Sequence, residues 1–118
     1  MRKIIIGAAL ALGLVAFACG GKQGPSAEAG KKLFAQNGCA LCHGEDASGK
    51  GSMAPGLKDM AAWYTKDKMI SYLENPLEYS KTDQRLSEQA RKYSSGMPNY
   101  SQMGKQKLEE LAEYLLSL

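Results

Sequence analysis

Cys39, Cys42 and His43 stand together in the run GCALCHG over residues 38–44, and His43 is the only histidine of the chain. Two thiols and one imidazole at this spacing admit four kinds of chemistry. A redox-active C-x-x-C pair works through a thiolate of lowered pKa. It belongs to a fold with strands and a βαβ unit, and no segment here alternates with period two. A zinc site takes four ligands. This motif supplies three, and no second Cys or His pair follows it. A structural disulfide would close a very small loop and leave His43 without a part. Covalent attachment of a c-type haem uses all three residues, and C-x-x-C-H is its signature. The thiols add to the haem vinyl groups as thioethers, and the adjacent imidazole ligates the iron from one face.

With a single histidine, ligation of that iron by two histidines of this chain is excluded. The sixth position then falls to Met, Lys, Tyr, water or nothing. Methionine is usually a soft core filler. Met69 fits an apolar helical stripe, and Met53 and Met60 lie in or beside the loop nearest the motif. Met97 differs: it sits between Gly96 and Pro98 in a rigid break, far along the chain. It is the expected distal ligand, since His/Met pairs are an established haem ligation. Met103 is the runner-up.

The elements that must position these residues read as helical. Ser26 is a candidate N-cap for a helix over Ala27–Asn37, stopped at Gly38. Residues 44–60 are rich in Gly, Ser and Lys and read as loop. Thr65 can cap a helix to about Asn75, ended by Pro76, with Met69, Ile70 and Leu73 on one face. Thr82 can cap another, with Leu86, Ala90 and Tyr93 on one face, broken by SSGMPN. A last helix from near Lys105 carries Leu108, Leu111, Ala112 and Leu115 at the i, i+3, i+4, i+7 spacing. The expected class is all-α, three to four short helices joined by long loops. Loops that long in a compact domain need something to pack on. A large apolar cofactor supplies it.

The first residues read as an address. Arg2 and Lys3 precede an uncharged apolar run, Ile4–Phe17, and Ala16-Phe17-Ala18 fits a small-x-small cleavage pattern. The run is a little short for a membrane span, so residues 1–18 are expected to be removed. Cys19 would then lead the mature chain. AFAC resembles, imperfectly, the lipobox of bacterial lipoproteins, in which that cysteine is lipidated. Ordinary cleavage at the same bond would instead leave a free thiol, a liability in an oxidising compartment. Lipidation at Cys19 is therefore the favoured expectation, with residues 19–25 as a flexible tether to the membrane.

From residue 26 to 118 the chain resembles class I monohaem cytochromes c of the small bacterial kind. The resemblance rests on AGKKLFAQNGCALCHG, APGL, GMPNY and LEELAEYLLSL. It implies the class I cytochrome c fold wrapped around one covalent haem. It implies that Gly30 and Phe34 meet the last helix beside Tyr114, and that the Pro55 carbonyl accepts a hydrogen bond from the His43 ring. It also implies that Trp63 lies near a haem propionate. Residues 76–95 match the pattern least.

The bulk numbers agree with a small exported carrier. The 118 residues allow one domain, and the formal charge of +3 offers no case for nucleic acid. Once Arg2 and Lys3 leave, 13 basic side chains face 12 acidic ones. Lys31, Lys32, Lys50 and Lys58 are interleaved with Glu45 and Asp46 and read as a solvated surface rather than a steering patch. The expected function is one-electron transfer in a respiratory or related chain, by a monomeric, non-enzymatic protein of the periplasm or cell envelope. Its partners would be other redox proteins. The alternative is a haem protein with an open sixth site, a peroxidase or small-ligand sensor, for which no second histidine or acid–base pair speaks.

Overall fold

The structure is a computed structural model, and it describes residues 25–118; Cys19, the leader and most of the tether lie outside the described residues. Among the described residues six α-helices follow one another: α1 (Ala27–Gln36), α2 (Cys39–His43), α3 (Lys66–Glu74), α4 (Pro76–Ser80), α5 (Gln84–Lys92) and α6 (Lys105–Leu116). Two short 3-10 turns, Met60–Ala62 and Ser101–Met103, lie between them. Among the described residues there is no strand, only an isolated bridge between Lys50 and Ala54.

Four helices have nine residues or more, which is the set that periodicity reveals. The additional two, α2 and α4, have five residues each and are too short to show a period. Pro76 ends α3, as expected, but it also opens α4. Asn75 closes the first helix and caps the second, its side chain accepting from Glu78 N–H at 3.4 Å. Proline is well suited to a first helical turn, where its missing N–H has no partner to lose. The cap of α5 is Asp83, whose carboxylate accepts from Leu86 N–H at 3.0 Å. Thr82, the expected cap, instead donates its hydroxyl to Tyr79 O at 2.8 Å. Asp and Thr are both good caps, so adjacent candidates are hard to separate by sequence.

The frame is the packing of α1 along α6. Ser26 caps α1 by accepting from Ala29 N–H at 3.1 Å. Leu33 and Phe34 then face Leu108, Leu111, Ala112 and Leu115, all buried. Burying a leucine contributes roughly 1.5–3 kcal/mol. At the closest approach stands Gly30: a Cβ there would lie 1.9 Å from Glu110 O and 2.7 Å from the Tyr114 Cβ. Only glycine lets the two backbones meet. Phe34 and Tyr114 close the contact edge to face, their ring centres 5.4 Å apart. α3 packs on the other side of α6, where Lys66 bridges to Glu113 at 2.8 Å. That pair is part-exposed, so its contribution is small.

The expected outcome for Gly30→Ala is a loss of about 3 kcal/mol of unfolding free energy, because α1 and α6 must separate to admit the methyl group. Denaturant unfolding of the haem-bearing protein measures it. A loss below about 0.5 kcal/mol, the range of an ordinary surface substitution, would contradict the close contact.

Candidate functional site

The turn out of α1 delivers the motif. Asn37 closes the helix by donating both its backbone N–H and its side-chain amide to Leu33 O. Gly38 follows at φ +74°, a left-handed conformation that glycine adopts without strain. The chain reverses there and winds α2, so Cys39, Cys42 and His43 occupy one short helix next to the α1–α6 frame.

These three residues line a cavity of about 420 Å³. That size falls in the range of small-molecule and cofactor sites. The walls are mostly apolar and come from every part of the fold: Phe34 of α1, Leu57 and Met60, Met69 and Leu73 of α3, Leu86 of α5 and Leu111 of α6. Met97 lines it from the segment between α5 and α6, and Pro55 lines it from the loop between α2 and α3. The structure therefore brings Cys39, Cys42, His43, Pro55 and Met97 to one cavity. It does not bring Trp63, a residue that is 59% exposed and outside the lining. Met53 and Met103 are outside it as well, whereas Met60 and Met69 are buried in the hydrophobic core and contribute to the wall.

His43 is buried, and its Nδ1 lies 2.8 Å from Pro55 O. A carbonyl oxygen only accepts, so Nδ1 carries the proton and donates it. The lone pair of that tautomer is on Nε2, the nitrogen available to a metal. Such a contact fixes the ring and raises its basicity as a ligand. The loop that presents Pro55 is held closely. Gly49 N–H donates to His43 O at 2.7 Å, and Leu57 N–H to Ala47 O at 2.8 Å. A Cβ on Gly56 would lie 2.7 Å from Ser48 O, so the loop crosses itself at van der Waals limits beside Pro55.

The segment carrying Met97 is tied at both ends. Ser94 and Ser95 N–H donate to Ser52 O and Met53 O at 3.0 and 3.2 Å, and Tyr100 N–H donates to Leu73 O at 2.9 Å. Met97 lies between these anchors with no helix around it. Gly96, just before it, has open space where a Cβ would go.

The thiols are free of disulfides. Burial pushes the Cys39 thiol above its ordinary pKa, against smaller opposing hydrogen bonds from Tyr100 and the backbone. A nucleophilic C-x-x-C needs the opposite shift. Zinc fares no better: among the described residues no three His, Cys, Asp or Glu side chains converge as a metal cluster. The donor set does fit a haem. Two unpaired thiols and an oriented imidazole stand in a large apolar cavity, and no buried side-chain N or O atom among the described residues lacks a partner.

Residues beyond the expected set also line the cavity: Tyr64, Tyr72, Arg85 and Tyr100. Burial raises the Tyr72 and Tyr100 hydroxyls to about 12, so both stay neutral near pH 7. Arg85 was hidden in the tract that matched the family pattern least. Its signal was the α5 face Arg85, Leu86, Gln89 and Ala90, continued by the C-cap Tyr93, all of which line the cavity.

The family model described as Cytochrome c matches residues 27–118. A curated relative, the Cbb3-type cytochrome c oxidase subunit FixPc of Rhizobium leguminosarum bv. viciae, is 60% identical over 38 residues, covering 31% of this chain and 12% of its own. The chain thus spans a small part of that relative's length. No solved structure matches it. Family members carry a covalent haem c, and Cys39, Cys42 and His43 fit its attachment motif. With its helical fold and its C-x-x-C-H cavity, this chain belongs, over residues 27–118, to the cytochrome c family of haem-bearing electron carriers.

Proposed function

We propose that the chain is a one-electron carrier whose haem iron is held between His43 and Met97, working outside the cytoplasmic membrane in a respiratory or related chain. One observation carries the axial pair: of the described methionines, Met60, Met69 and Met97 line the cavity with His43 while Met53 and Met103 do not, and of those three only Met97 lies outside a helix or 3-10 turn. Met60 and Met69 belong to the buried core that builds the wall. The anchors at Ser94, Ser95 and Tyr100 support this reading, because they hold Met97 in place whichever oxidation state the iron has.

In this reading Cys39 and Cys42 hold the haem as thioethers, and His43 faces the iron through Nε2. When bound, the haem supplies a reversible one-electron couple, and a methionine ligand raises its potential. The chain's part is to fix the ligands. The Pro55 carbonyl keeps the His43 ring from turning, and the closely packed loop 44–59 keeps Pro55 in place. The apolar wall would limit water at the bound group, a burial that favours its less charged, reduced form. With His43 and Met97 both holding the group, the chain would leave no open position for substrate, and its partners would dock briefly and weakly. The relative named as an oxidase subunit supports a respiratory setting. No described helix is long and apolar enough to cross a membrane. Attachment would instead come through lipid on Cys19 and the tether to residue 25.

Two measurements test this. In oxidised protein, the weak far-red band of a methionine–iron bond should be present, disappear in Met97→Ala, and survive in Met103→Ala. Reduced parent protein should not bind carbon monoxide, and Met97→Ala should. A parent protein that binds carbon monoxide without the band would contradict the axial pair and favour an open-site haem protein. The mature N-terminus is expected, by mass, to begin at an acylated Cys19, with Cys19→Ser shifting the protein from the membrane to the soluble fraction. An unmodified Cys19 thiol would contradict anchoring.

A further inference from the structure

Met97 rides on an arc of chain that is fixed at two places. Before it, Ser94 and Ser95 N–H donate to Ser52 O and Met53 O. After it, the first fixed residue is Tyr100, whose N–H donates to Leu73 O at 2.9 Å and whose carbonyl accepts from Met103 N–H at 3.0 Å. Between these points no backbone N–H of Gly96, Met97 or Asn99 donates to another backbone group among the described residues. Nothing lies within 4 Å of where a Cβ would stand at Gly96 or at Gly104, so neighbours do not wedge the arc in place. Its position depends on its anchors.

Tyr100 is an unusual anchor because it also reaches the other half of the site. Its hydroxyl donates to Asn37 O at 3.4 Å, a long and therefore weak hydrogen bond. The same hydroxyl hydrogen-bonds the Cys39 side chain. Asn37 and Cys39 flank Gly38, the turn from which α2 and its attachment motif hang. A thioether sulfur at Cys39 can only accept, so the hydroxyl would remain the donor there. Burial raises Tyr100 to about 12, which keeps its proton in place near neutral pH. Tyr100 is, further, the one described residue common to two cavities. It lines the large apolar one, and with Gln36, Asn37, Asn99 and Lys107 it lines an outer groove of about 410 Å³. Those four partners are exposed, so the tyrosine is the partition between the apolar cavity and a polar groove at the surface.

Resting on the His43–Met97 pair proposed above, we propose that Tyr100 is the positioning residue for Met97: its hydroxyl ties the methionine arc to the corner that carries the attachment motif, and its ring closes the cavity on that side. Met97 is thereby held at a set place relative to His43. A ligand competing for the sixth position must displace the methionine against this anchor, so the resistance of the site to such ligands is set by Tyr100 as well as by the sulfur. A weak hydrogen bond lies at the low end of the usual net contribution, and its loss should change the competition equilibrium about two- to fivefold.

Titrating the oxidised, haem-bearing protein with imidazole tests this. The parent, Tyr100→Phe, Tyr100→Ala and Ser101→Ala are compared, after checking each for the far-red methionine band, and denaturant unfolding is followed alongside. Ser101 is the next residue on the segment; it is exposed, and its hydroxyl has no hydrogen-bond partner among the described residues. Tyr100→Phe should keep the band and bind imidazole about two- to fivefold more tightly. Tyr100→Ala should bind it more tightly still, and Ser101→Ala should match the parent. Parent affinity in Tyr100→Phe, with or without a lowered unfolding midpoint, marks a merely structural tyrosine; it overturns the inference and leaves the axial pair standing. An equal gain in Ser101→Ala overturns it as well. A parent lacking the methionine band overturns the axial pair and this inference together. Should Tyr100→Phe not carry haem, amide exchange of the parent decides. With imidazole bound the Tyr100 amide should stay protected, and its loss of protection would show the arc giving way as a whole and overturn the inference.

Discussion

A cavity of about 420 Å³ within this small domain is the constraint around which the rest is arranged. Its walls are mostly apolar side chains drawn from α1, α3, α5, α6 and both long connections, and apolar surface left facing water is unfavourable, so a group filling the cavity is part of the fold rather than a passenger. That is the physical reason for covalent attachment: two thioethers keep the filling group from leaving. It also explains how residues 44–65 and 93–104 can be long connections in a small domain. Their apolar side chains, Leu57, Met60 and Met97 among them, point to a common centre rather than to one another.

The remaining structure divides into a frame and a clamp. The frame is α1 on α6, closed at Gly30 and braced by α3, and it is held by contacts between helices as well as by the cavity wall it contributes to. The clamp is everything hung from it. α2 follows α1 by a single glycine turn, so the attachment motif inherits the position of the frame. The Pro55 loop and the Met97 segment are joined to each other through Ser52–Ser94 and Met53–Ser95. One side of the site therefore cannot move without the other. An electron carrier benefits from such rigidity, since ligand movement on oxidation would slow the transfer.

Much of this was legible in the residues. CALCH is decisive because three chemically distinct side chains must meet one small disc, and few other arrangements use all three. α1, α3, α5 and α6 showed themselves by caps and apolar spacing. What stayed hidden has physical reasons. Helices of five residues have no period to display, so α2 and α4 were unseen. Pro76 carries the same signal as a stop and as a start. Thr82 and Asp83 compete for one cap, and only the backbone path decides between them. Arg85 looked like one more polar residue on a solvated helix, because an arginine facing a cavity and one facing water have the same neighbours in sequence. Trp63 was tied to the haem through the family resemblance, and the structure places it against Arg85 instead of in the cavity wall.

Amide hydrogen exchange measures directly whether the haem organises the clamp and not the frame, by comparing the haem-bearing chain with a haem-free Cys39→Ala/Cys42→Ala chain. Without haem, residues 44–65 and 93–104 should lose most of their protection, while α1 and α6 should keep the greater part of theirs. Equal protection of those two loop segments with and without haem would contradict it.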